Sequence, residues 1–79
     1  MAKRRVEAFG QRFMARRVSK GITRAEAARR CQVHVCNLMG WEDRGTLPKD
    51  PHTIVHAVDL LECDPWWLLT GEGRPEGQP

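Results

Sequence analysis

Two residues, Gln32 and Val33, are all that separates two stretches of helical character in this chain. A break that short makes the helices on either side cross steeply, because there is no spare chain to lay them side by side. Before the break, Thr23 stands where an N-cap belongs and Glu26 follows three residues later, a capping-box pattern that opens a helix running to about Cys31. Ala27, Ala28 and Cys31 form its inner face, and side chains this small allow another helix to come close. After the break, "HVCNLMGWEDR" reads as a short helix with Leu38 and Trp41 as its inward stripe.

The same reading extends along the rest of the chain. Apolar residues recur at spacings of three and four, without strand alternation or internal repeat, which predicts an all-α chain of five short helices. The first covers residues 6–19, with Phe9 and Phe13 one turn apart and Gly21 closing it. The fourth is capped by Asp50, takes Pro51 in its first turn, and shows Ile54, Val55, Val58 and Leu61 as its apolar stripe. Asp64 and Pro65 repeat that start for a fifth helix, "PWWLL", ending at Thr70 and Gly71. The expected organisation is a basic arm at residues 1–5, a helical domain over 6–71, and a flexible tail or linker over 72–79.

Size excludes much. Seventy-nine residues support one modest core but not a walled catalytic cleft, and no nucleophile with base and orienter can be named, so an enzyme with a small-molecule substrate is not expected. His52 and His56 lie one turn apart and read as surface residues. No apolar run approaches a membrane span, and the basic N-terminus is not followed by a secretory apolar segment, which points to no membrane partner and a cytoplasmic protein. Cys31, Cys36 and Cys63 are odd in number and lack framework spacing, fitting reduced thiols. His34 and Cys36 make one close pair while Cys31, His52, His56 and Cys63 are scattered, so neither a metal nor any other cofactor is expected.

Charge is distributed unevenly. Residues 1–49 carry twelve Lys and Arg against four acids, a net of +8, whereas residues 50–79 carry Arg74 against six acids, a net of −5. A basic half suits a polyanion, most simply nucleic acid, and an acidic half suits solvent or another partner; solvated charge is the plain alternative.

With these features assembled, residues 22–69 resemble the helix-turn-helix domain of the lambda-type phage repressors and Cro proteins, the wider group of XRE-like regulators. The likeness is carried by "ITRAEAARR", Ala28 at the helix crossing, Val33 in the turn, Leu38, "WE" at 41 and 42, Pro48, and "DPWWLLTGEG", with "GQRFMARR" extending it into the first helix. It implies a compact five-helix lambda-repressor-like domain whose third helix enters the DNA major groove. It also implies a structural ion pair between Arg17 and Glu42, which would otherwise be two exposed residues. The turn position usually held by Gly is Gln32 here, where a left-handed backbone costs a non-glycine residue about 1 kcal/mol.

In that geometry Val35, Cys36, Asn37 and Gly40 are the candidate base readers. Val35 and Cys36 would cover thymine methyl groups, Asn37 would add hydrogen bonds, and Gly40 would let the helix sit close to the duplex. The alternative is a rotated helix with Val35 and Cys36 in the core. Candidate phosphate contacts are Arg24, His34, Arg44 and Lys49, with Lys3, Arg4 and Arg5 as an arm around the duplex. Arg29 and Arg30 fit either a contact or solvated charge. Trp66, at a commonly polar position, is a candidate dimer contact, or else lies flat on its own surface. The function implied is a dimeric transcriptional repressor holding a near-palindromic double-stranded operator, acting on the nucleoid in the cytoplasm of a bacterial cell or phage-infected host. A protein-interaction module, such as an antitoxin or adaptor on the same scaffold, is the competing expectation.

Overall fold

The computed structural model describes residues 9–77. Among them the chain is entirely helical, in the order α1 (Phe9–Ser19), α2 (Arg24–Cys31), α3 (Val35–Met39), α4 (Pro51–Leu61) and α5 (Pro65–Thr70). A π-helical turn, Gly40–Arg44, continues α3 directly.

Local chemistry sets the helix ends. Thr23 accepts from the Glu26 N–H at 3.1 Å, Asp50 from the His52 N–H at 3.0 Å and Asp64 from the Trp67 N–H at 3.0 Å. Each satisfies a donor that the first helical turn leaves without an intrahelical partner. Glu26 does not complete a reciprocal box; its carboxylate accepts from Arg29 at 2.6 Å. Gln32 takes the left-handed conformation, φ 62° and ψ 42°, and Val33 N–H bonds back to Ala28 O at 3.0 Å. That six-residue closure turns the chain from α2 into α3, so the geometry glycine usually supplies is made here by glutamine.

The core joins Phe9 and Phe13 of α1, Ala27, Ala28 and Cys31 of α2, Leu38 and Trp41, Ala57, Leu60 and Leu61 of α4, and Leu68 of α5. Phe9, Phe13 and Trp41 meet with ring centroids 5.5 to 6.0 Å apart, two of the three pairs edge-on. Such contacts add about 0.5–1.5 kcal/mol each beyond area burial. Gly10 makes this meeting possible: a Cβ there would overlap the Trp41 carbonyl.

One expectation changes. The inner stripe of α4 is Thr53, Ala57, Leu60 and Leu61, and Val55 is 57% exposed. Ile54 and Val58 pack partly buried against the core as expected, with Ala57 fully buried between them, so Val55 alone of the expected stripe faces outward. Beyond α5 the described chain runs back over that helix: Asp64 N–H donates to Pro75 O at 2.8 Å, and the Trp66 indole donates to Glu72 at 3.2 Å. Gly71, Gly73 and Gly77, with φ of 84°, 86° and 94°, give the chain the left-handed turns needed to fold back over α5.

Candidate nucleic-acid interface

The inner side of α3 and its π turn is fixed from two directions. Glu42, whose side chain is fully buried, accepts from Arg17 Nε at 2.9 Å and Arg17 Nη2 at 3.2 Å, a bidentate pair reaching across from α1. Arg17 also donates to Ile22 O at 2.7 Å. From α2, Arg24 Nε donates to Glu42 at 3.0 Å and its Nη2 to Asp43 at 3.1 Å. One carboxylate thus binds two guanidiniums and ties α1, α2 and the π turn into a unit; a bidentate geometry of this kind specifies orientation as well as proximity.

The outer side is open. Val35, Cys36 and Asn37 are exposed, as is His34, which sits at the N-cap of α3 without a side-chain capping bond. The helix is therefore rotated with Leu38 and Trp41 inward and Val35 and Cys36 outward. Gly40 departs from expectation: it is buried, and a Cβ at that position would stand 2.9 Å from both the Arg44 guanidinium and the Thr46 hydroxyl. The π turn and the fold-back after Gly45 bring those two side chains over it, so its missing side chain makes room for the chain's own atoms.

The cations divide into engaged and available. Arg12 is buried and donates to Leu68 O at 2.9 Å, while Arg16 donates to Leu61 O and Glu62 O at 3.0 Å each, capping the C-terminus of α4. Lys20 pairs with Glu62 at 2.9 Å, and Arg29 and Arg30 lie 2.6 and 3.7 Å from Glu26. These pairs pull the Glu26 and Glu62 carboxyls below their ordinary range, through the hydrogen bonds from Arg29 and Lys20 respectively. Arg44 and Lys49 are exposed, and no carboxylate lies within ion-pair distance of either among the described residues. Both line a groove beside α3 together with Asn37 and Thr46. Lys3, Arg4 and Arg5 lie outside the described residues.

Sequence reasoning missed the roles of Arg12 and Arg16. Both are arginines of a basic helix whose acceptors are backbone carbonyls 45 to 56 residues away, and a carbonyl leaves no residue-type signal in the sequence. Trp66 is 61% exposed and projects from α5 far along the chain from α3, with its indole nitrogen held by Glu72. The thiols also separate: burial pushes Cys31 up to about 11 and raises Cys63, whereas Cys36 is exposed on α3. No group of three or more His, Cys, Asp or Glu side chains among the described residues is placed to hold a metal ion, and no helix among them is long and apolar enough to cross a membrane.

No protein-family model and no curated protein matches the chain. Solved structures do. The crystal structure of the P22 c2 repressor protein in complex with synthetic operator 9T superimposes with a TM-score of 0.75 at 28% identity, covering 82% of this chain and 97% of that one. The N-terminal DNA-binding domain of SinR from Bacillus subtilis shares the fold with a TM-score of 0.71 at 21% identity, over 84% of this chain and 96% of that domain. The chain has the all-helical fold of the lambda-type helix-turn-helix repressor domains, as the resemblance implied.

Proposed function

We propose that this chain is a sequence-specific double-stranded DNA-binding transcriptional regulator that acts as a dimeric repressor of phage or prophage type. The observation that carries the reading is the split character of α3: its inner side is locked by the Arg17–Glu42 pair, and its outer side leaves Val35, Cys36 and Asn37 uncovered. An exposed apolar pair on a rigid helix suits thymine methyl groups in a major groove. The similar P22 c2 repressor is itself seen on a synthetic operator.

Most of the affinity would come from phosphates, met by Arg44, Lys49 and His34 beside α3, and by an arm of Lys3, Arg4 and Arg5. Arg24 joins them by exchanging Asp43 for a phosphate, since one of its two carboxylate partners is solvent-exposed. A domain this small buries little DNA surface, so two copies on half-sites about one helical turn apart supply the specificity, with Trp66 on the dimer contact. Residues 6–71 form the DNA-binding domain. Its place of action is the bacterial or phage-infected cytoplasm, on the nucleoid, and its mechanism is exclusion of polymerase from an overlapping promoter.

The test is selection of bound duplexes from a random library with the purified chain at near-physiological salt. A palindrome with thymines facing Val35 and Cys36 is expected. Recovery of no motif, with retention that vanishes as salt rises, would replace this reading with the interaction module.

A further inference from the structure

By its spacing from Cys36, one turn earlier, Gly40 belongs on the outward stripe of α3, yet it is buried. Its cover is the Arg44 side chain together with Thr46: a Cβ at Gly40 would lie 2.9 Å from Arg44 Nη2 and 3.6 Å from Arg44 Cζ. The guanidinium therefore occupies the space that a side chain at position 40 would fill on the reading face. Backbone bonds close the turn that carries Arg44. Gly45, at φ 78°, donates its N–H to Gly40 O, closing the π turn, and Thr46 N–H reaches the same carbonyl at 3.2 Å. Arg17, Arg24, Arg29 and Arg30 all meet carboxylates, whereas Arg44 has none within ion-pair distance among the described residues.

A planar guanidinium presents its donors as a fork that matches the O6 and N7 acceptors on the major-groove edge of guanine. We propose that Arg44 reads a guanine base from the space left open by Gly40, and that Gly40 is the positioning residue that makes the space. This rests on the reading of the chain as a DNA-binding regulator and changes the role of Arg44 within it. A phosphate contact weakens all sequences alike when removed, while a base contact changes which sequence is preferred.

The experiment compares wild type, Arg44→Ala and Gly40→Ala in the same random-duplex selection, with helix content checked by circular dichroism. Wild type selects a guanine close to the thymines. Arg44→Ala removes the donors altogether, so guanine enrichment at that position falls by roughly 5- to 150-fold while the preference at the other positions stays. Gly40→Ala pushes the guanidinium aside and gives the same loss while the thymine preference stays. An Arg44→Ala motif identical to that of wild type, with affinity lowered alike for all sequences, would overturn the assignment while leaving the regulator reading intact. Failure of wild type to select any motif would overturn both. Because Arg44 is exposed, its substitution decides the matter even if Gly40→Ala unfolds the chain.

Discussion

Glu42 and Asp43 are neighbours in the same turn, and the contrast between them separates the two sides of α3. Glu42 has no exposed side-chain surface and binds two arginines; Asp43 is half exposed and shares one of them. On the Glu42 side lie Leu38, Trp41, the aromatic cluster and Gly10. On the Asp43 side lie Val35, Cys36 and Asn37, all exposed. Residues on the first side answer to the fold, and those on the second are free to answer to a partner, which is how one helix of a few turns serves both.

Breaking the inner side should cost most. Glu42→Ala strands the Arg17 guanidinium, and removing one member of a buried pair typically costs about 3–5 kcal/mol, read as the loss in urea unfolding free energy. An equally stable variant would show that the pair does not hold α3. Gly10→Ala forces a methyl group into the Trp41 carbonyl, and overpacking of this kind costs about 1–3 kcal/mol. Unchanged stability would mean that α1 can retreat from α3 freely.

Acid tests the exposed pairs. Asp50 is held below the ordinary carboxylate range by the His52 N–H, and Glu26 and Glu62 by Arg29 and Lys20. Because these folded values lie below the unfolded ones, their contribution is full above about pH 4–5 and is lost as pH falls through the folded values. A thermal midpoint that stays level from pH 5 to pH 3 would contradict this.

The outer side should be insensitive by the same measures. Val35→Ala and Cys36→Ala are expected to change stability by less than about 0.5 kcal/mol. Each should nevertheless lose roughly 1–3 kcal/mol of discrimination at one base pair in competition binding. Unaltered sequence preference would remove both residues from the reading face. The thiols sharpen the same division at the smallest cost to the protein: mass spectrometry after mild alkylation of the native chain should show one adduct, on Cys36, and three after denaturation. Early labelling of Cys31 would mean that the α2 face opens.

Local signals made much of this fold legible in the sequence. Thr23, Asp50 and Asp64 cap where their types and spacing predict, and Leu38 and Trp41 turn inward, while Gln32 adopts the left-handed turn that the family resemblance implied. The exposed Val35 and Cys36 followed from the same periodicity. These features depend on residues within about one turn of each other, so a one-dimensional reading captures them.

Tertiary structure decided what those signals leave open. It turned Val55 outward, covered Gly40 with Arg44, folded the tail onto α5, and sorted a run of similar arginines into engaged and available ones. The sequence contains the +8 of the first half, but an arginine carries the same charge whether it reaches a carbonyl 56 residues away, as Arg12 does, or stands without an ion-pair partner beside α3, as Arg44 does. Helix type and end are set by neighbours along the chain, whereas the partner of a long flexible cation is set by what the packed helices bring within about 3 Å of it.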